Sequence, residues 1–305
     1  MIFQLLVGVG FALSANRTHI EKRDPAMQVE KPEEKEKKKG QKEEKEGKKE
    51  PFDCSTATYK TVTLDDFVYK HNCFPAGWDN FLKNEQVKDN IGMISKVLEN
   101  DAKVNVIEPP MPDMFKAFTV SPDKIKAVII GQDPTPQPGK ATGLAFSLKP
   151  TEDPRGVPSV FNMLVELKLE GMAVSLTNGD LSPWLNEGVL LLNAALTVRQ
   201  GYPASQQKYW KLFTRMVVGY ISHASQPSAW ILWGAHARDA SGLIDKRKHY
   251  IKIGGHPSPI GGRKNEFIGG NYFHCANVFL EKMKRGAINW QINHRFGYMT
   301  DMVPC

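Results

Sequence analysis

Asp133, Asn193, His236 and His256 each stand at or just after the end of a short apolar run that stops in a polar turn. Ile125 to Ile130 runs into Gly131-Gln132-Asp133-Pro134, and Val189 to Leu192 runs into Asn193. Ala229 to Trp233 runs into Gly234-Ala235-His236, and Tyr250 to Ile253 runs into Gly254-Gly255-His256-Pro257-Ser258-Pro259. A carboxylate can stabilise a developing cation or take a proton from water, and an imidazole can donate to a developing anion. An amide offers a donor and an acceptor together.

Apolar runs of this length, bounded by turn residues and alternating with helical patterns, read as buried parallel strands. Open parallel sheets take ligands outside the carboxyl ends of their strands, so all four residues fall on the edge where chemistry is expected. Between the runs, the spacing predicts a helix from Ser159 to about Leu169, stopped by Gly171. A second is predicted from Gln206 to His223 with Ser205 as its cap, and a third from Asn271 to about Arg285 with Gly286 just beyond it. Trp78 to Leu82 and Ile91 to Leu98 also look helical. The order of elements implies an α/β fold: a doubly wound, mainly parallel four-stranded sheet with helices on both faces.

Composition divides the chain into residues 1–20, 21–52 and 53–305. Residues 21–50 hold 11 Lys and Arg against 10 Asp and Glu, with few large apolar side chains. Such a segment buries too little apolar surface to offset its ordering entropy and reads as disordered. The net charge is +7, and most of the excess falls on the remaining ~255 residues, which suits a polyanionic partner or plain solubility equally. Residues 1–15 are too short to span a membrane; they resemble a secretory signal but lack a preceding basic residue. A nucleus or mitochondrion is the favoured location, set against that signal-like segment. Neither a C-x-x-C nor a His pair with ligand spacing occurs, so no metal is expected. The four cysteines read as scattered free thiols, with a Cys54–Cys73 pair as the alternative in a secreted protein.

Gly131-Gln132-Asp133-Pro134, Gly143-Leu144-Ala145-Phe146-Ser147, Leu190 to Val198, Leu232-Trp233-Gly234 and His256-Pro257-Ser258-Pro259 stand in an order that resembles the family 1 uracil-DNA glycosylases. Ile288-Asn289-Trp290 is similar to that family's closing motif, and the match covers roughly residues 75–292. The resemblance implies a monofunctional N-glycosylase, a hydrolase that removes uracil from DNA and leaves an abasic site, with no metal or organic cofactor. Its partner is uracil-containing DNA, single- or double-stranded, met by a monomer and without a membrane. Breaking an N-glycosidic bond puts positive charge on the sugar and negative charge on the departing base. Asp133 is the candidate carboxylate and His256, as neutral imidazole, the candidate donor to the base oxygen. Asn193 would read the uracil edge, Phe146 would stack on the flipped base, and Gln132 and Thr135 would flank it.

On the DNA side, Ser159 and Ser258 are candidates for phosphate contacts, Arg263 and Lys264 for charge, and Ile260 for the apolar wedge that fills the emptied stack. Each residue also has a plainer reading. Asp133 could close an Asx turn before Pro134, Asn193 could form a strand-end turn, Phe146 could be core, and the two basic residues could lie on a solvated loop. The chain departs from the family at Thr135, where Tyr is usual, at Pro136, where His is usual, and at Ala235, where many members carry Ser. Gly261 and Gly262 follow the wedge position. Thr135 opens a reading with broader pyrimidine selectivity. A non-catalytic DNA-binding protein on the same fold is the third reading.

Overall fold

The structure, a computed structural model, describes residues 51–258 and 266–292. The apolar amino-terminal segment, the Lys/Glu-rich residues up to 50, and Ile260, Arg263 and Lys264 lie outside the described residues. Phe52, assigned to the tail by composition, stacks on His71 with ring centroids 3.9 Å apart.

The four apolar runs are strands, and all of them are parallel. β1 (Ile107–Glu108) precedes β2 (Ala127–Gly131); β3 (Val189–Asn193), β4 (Val198–Arg199), β5 (Ala229–Trp233) and β6 (Tyr250–Gly254) follow. The main sheet has the order β3-β2-β5-β6. Every residue of β2, β3 and β5 is buried, which is why these strands are continuous apolar runs rather than alternating ones. β6, at the edge opposite β3, is partly exposed. The chain leaves β2 for β3 on one side and returns to β5 on the other. The crevice outside the carboxyl ends of β2 and β5 is therefore the topological switch point.

Helices cover both faces: α1 (Asp79–Leu82), α2 (Glu85–Asp101), α3 (Pro158–Leu169), α4 (Pro183–Asn186), α5 (Gln207–Ala224), α6 (Gly234–Arg238) and α7 (Tyr272–Lys282). Trp230 and Trp233 are three apart on β5, so the pleat sends them to opposite faces. Trp233 meets Phe267, Tyr272 and Phe273 at the start of α7 at centroid distances of 5.1–6.0 Å. A separate aromatic cluster joins Trp78 and Phe81 to Phe118 and to Phe213 of α5.

Helix ends follow local chemistry, with two corrections. Gly171 ends α3 as expected: it has φ +82°, and Met172 N–H donates to the Leu167 carbonyl at 3.0 Å. Ser205 does not cap α5; its hydroxyl accepts the Arg199 N–H at 2.9 Å instead. α7 stops at Lys282, short of Arg285, because Lys284 takes the left-handed position at φ +56° and Arg285 N–H closes back on the Leu280 carbonyl. Cys54 and Cys73 are joined as a disulfide, against the expectation of free thiols, while Cys275 is free. Turns at the start of the described chain bring two cysteines 19 apart in sequence to a Cα separation of 5.7 Å, within bonding reach.

Glu170, the residue that caps the end of α3, lies four residues after Glu166. Burial, with Glu166 alongside, pushes the Glu170 carboxyl from the ordinary 4.5 up to about 7. A carboxyl whose folded pKa is raised contributes stability that is complete below its unfolded pKa and lost as pH rises through the folded value. Melting temperature should therefore fall between about pH 4.5 and 7. Glu170→Gln should flatten that slope, and an unchanged slope by calorimetry would remove Glu170 as its source.

Candidate active site

A cavity of about 370 Å³ opens at the switch point, lined by Gln132 and Gly131 from the end of β2, Phe146, Trp233, Gly234 and His236 after β5, and His256 and Ser258 after β6. Asn193, the last residue of β3, is buried and pairs in register with Gly131. Gly131 has no room for a side chain. A Cβ there would lie 2.5 Å from Asn193 Oδ1, 2.9 Å from Ala145 Cβ and 3.5 Å from Phe146 Cε2. The amide of Asn193 and the ring of Phe146 thus converge beside one glycine. Among the described residues nothing hydrogen-bonds the Asn193 amide, so its donor and acceptor are both uncommitted.

Phe146 adopts φ +61°, a region that costs a non-glycine residue energy and concentrates at working sites. The Ala145 N–H donates to the Leu191 carbonyl at 3.0 Å and ties the Phe146 turn to β3. The half-buried Phe146 ring lies edge to face with Trp233 at 5.4 Å and tilted toward His256 at 6.2 Å. It packs against the margin of the core with one part left open to the cavity.

Asp133 does not close an Asx turn. Its Oδ2 accepts the Ala204 N–H at 2.6 Å, from a loop 71 residues away. Burial raises its pKa above the ordinary value, opposed by the Ala204 hydrogen bond, the nearby Gln207 amide and the positive potential of His236. His256 is exposed on the cavity side. Desolvation by the protein behind it, aided by His236, lowers its pKa. Its Nδ1 accepts the Ser258 N–H at 3.0 Å, so the neutral ring carries its proton on Nε2. Gly234, at φ +80°, lets the chain turn tightly here; a Cβ would stand 3.1 Å from His256 Cβ.

The loop that reaches Asp133 has its own supports, and none of them was visible in the sequence. β1 and β4 form a two-stranded antiparallel pair, Ile107 opposite Arg199 and Glu108 opposite Val198. Asp101, at the end of α2, binds Arg199 through two hydrogen bonds of 2.6 and 2.9 Å and Gln206 through one of 2.7 Å. Burial alone would raise the Asp101 carboxyl, but the bonds from Arg199 and Gln206 hold it below its ordinary value. The buried Glu108 accepts the Gly139 N–H at 2.7 Å and the Gln200 amide at 3.1 Å, linking the loop after β2 to the loop after β4. These partners lie roughly 30 to 100 residues apart in sequence, with no periodicity or motif to join them.

The remaining expected residues sort as follows. Gln132 is exposed and lines the cavity. Ser258 lines it and supplies the hydrogen bond to His256. Thr135 is half-buried and is not among the residues lining this cavity. Ser159, near the start of α3, is half-buried and is not among them either. Lys140, in the loop after Asp133, lies 3.8 Å from Glu152. A second cavity of about 340 Å³ shares Ile130, Gln132 and His236 with the first. Lys208, Lys211 and Arg215 of α5 line it and form no ion pair among the described residues. No group of three or more His, Cys, Asp or Glu among the described residues could hold a metal ion.

Asp133 follows β2, Asn193 ends β3 and His256 follows β6, so a carboxylate, an amide and an imidazole stand at the carboxyl edge of one parallel α/β sheet, although Asp133 and Asn193 are not among the residues lining the cavity. The uracil-DNA glycosylase of Clostridioides difficile (strain 630) is 40% identical over 219 residues, covering 71% of this chain and 96% of that one. The uracil-DNA glycosylase of Bacillus subtilis (strain 168) is also 40% identical, over 70% of this chain and 95% of that one. The crystal structure of mimivirus uracil-DNA glycosylase superimposes with a TM-score of 0.66 at 26% identity, over 72% of this chain and 88% of that one. No family model matches the chain. The chain belongs to the uracil-DNA glycosylase family.

Proposed function

We propose that this protein hydrolyses the N-glycosidic bond of uracil in DNA, releasing the free base and leaving an abasic site, as a monofunctional enzyme of base excision repair. The observation that carries this reading is the convergence of the Asn193 amide and the Phe146 ring beside Gly131, with His256 in the cavity that Phe146 also lines. A pure DNA-binding protein needs none of these groups. The cavity is concave and the target atom lies inside a duplex, so the nucleotide is flipped out to reach it.

In this reading the base stacks on Phe146. The Asn193 amide pairs with the ring N–H and the carbonyl beside it; cytosine presents the wrong pattern there. As the bond breaks, the Nε2–H of His256 donates to the base oxygen that gains negative charge. The Asp133 carboxylate stabilises the positive sugar and orients the attacking water. A bound base that displaces water from the cavity strengthens both electrostatic effects. Ser159 and Ser258 contact phosphates, and Lys208, Lys211 and Arg215 add positive charge beside the site. The protein acts as a monomer on single- or double-stranded DNA. Incubation with uracil-containing oligonucleotides of both kinds, with free uracil and abasic sites as products, tests the reading; no release from either would sink it.

One observation favours a broader selectivity. Thr135 stands where the family usually carries Tyr and is smaller by an aromatic ring. An apolar pocket discriminates one methyl by ~10–200-fold. Uracil is expected to remain the best substrate, with thymine and 5-fluorouracil cut at measurable rates. Thr135→Tyr should suppress the two larger bases. Single-turnover rates in matched oligonucleotides decide this, and a parent that rejects thymine as fully as Thr135→Tyr does would end the idea.

A further inference from the structure

Asn162 sits one turn into α3, and its Nδ2 donates to the Pro257 carbonyl at 2.7 Å, across 95 residues of sequence. That carbonyl and the Ser258 N–H are the two ends of a single planar peptide group. The N–H end donates to His256 Nδ1 at 3.0 Å. A rotation of this peptide would break both bonds together. A carbonyl that accepts a hydrogen bond also makes the N–H of its own peptide a stronger donor. The far side of the loop is held by the same helix face: Glu166, one turn on, accepts the Gly269 N–H at 2.6 Å and the Asn271 N–H at 2.9 Å. Asn162, Glu166 and Glu170 are spaced four apart, which lines them up along α3.

We infer that Asn162 is a positioning residue. Through the 257–258 peptide, it fixes the ring orientation of His256 and keeps the ring proton on Nε2, facing the cavity. An imidazole with its proton on Nδ1 would present a lone pair to the base oxygen, and the donor would be lost. A plain anchoring role would steady the loop without selecting between the two nitrogens. The inference rests on the function proposed above.

Asn162→Asp is nearly isosteric and replaces the donor with an acceptor facing the carbonyl. The ring ¹⁵N shifts of His256 report the tautomer directly. Single-turnover excision on a uracil oligonucleotide reports the consequence, and oligonucleotide affinity separates binding from chemistry. The parent is expected to show the Nε2–H form. Asn162→Asp is expected to show a mixture or the Nδ1–H form, with excision slower by ~10²-fold, the scale of a misplaced catalytic group, and affinity within a few-fold. Asn162→Ala serves the same purpose if the Asp variant does not fold. In a His256→Gln background the same substitution should change the rate little, because the group it positions is gone. Retention of the Nε2–H form at the parent rate would overturn the inference. So would an equal loss with and without His256. If the parent releases no uracil, the proposed function fails, while the ¹⁵N comparison still tests the positioning.

Discussion

Asp133→Asn should give a folded protein that binds uracil-containing DNA and excises the base more slowly by ~10²–10⁴, the contribution of a positioned acid–base group. The substitution keeps the shape of the side chain, and its amide oxygen can still accept the Ala204 N–H now held at 2.6 Å. What disappears is the negative charge. Burial raises the Asp133 pKa above the ordinary 3.8. The ionised form therefore costs folding free energy: stability is full below the unfolded pKa and declines as pH rises through the folded one. Asn carries no such cost, so Asp133→Asn should melt at or above the parent temperature at neutral pH. In the parent, the acid limb of the rate profile should lie above 3.8. Single-turnover excision and thermal melting, measured together, check both halves. A variant as fast as the parent would take Asp133 out of the mechanism.

His256→Gln should slow excision by ~10²–10³, the usual loss when one donor to a developing oxyanion is removed. The loss should fall on kcat, because the charge it stabilises appears only in the transition state. Desolvation lowers the His256 pKa, so any break in the parent rate that His256 causes should lie on the acid side of an ordinary histidine's. A large rise in KM with kcat unchanged would reassign His256 to substrate binding.

The strands were legible because three of them are buried on both faces and need continuous apolar sequence. Their carboxyl ends were legible because each apolar run gives way to Gly, Pro, Asn or Asp. The ends of α5 and α7 were less so. Ser205 has the chemistry of a cap, yet its hydroxyl is taken by Arg199 from β4. Gly286 has the freedom to end a helix, yet Lys284 already does so. Local propensity decides such ends only where no tertiary partner competes. β1 and β4 are two residues each, too short for any period to register. The Cys54–Cys73 bond needed the turns between the two residues to be known first.

The sequence by itself determined the order of the strands along the chain, the edge at which chemistry is expected, and which bonding groups stand on that edge, Asp133, Asn193 and His256; Phe146 entered only through the family resemblance. These are local properties: a run of apolar residues, then a turn, then a group able to bond. Tertiary structure alone decided how those groups are held. The carboxylate of Asp133 is met by a backbone N–H from beyond β4, in a stretch that Asp101 holds through Arg199 and Gln206 and Glu108 through Gln200. The proton on His256 is set by a peptide that α3 holds in place. Hydrogen bonds between residues far apart in the chain leave no trace in spacing. Their partners are chosen by the folded geometry, and a side chain such as Asn162 reads as an ordinary polar position on a helix until that geometry is known.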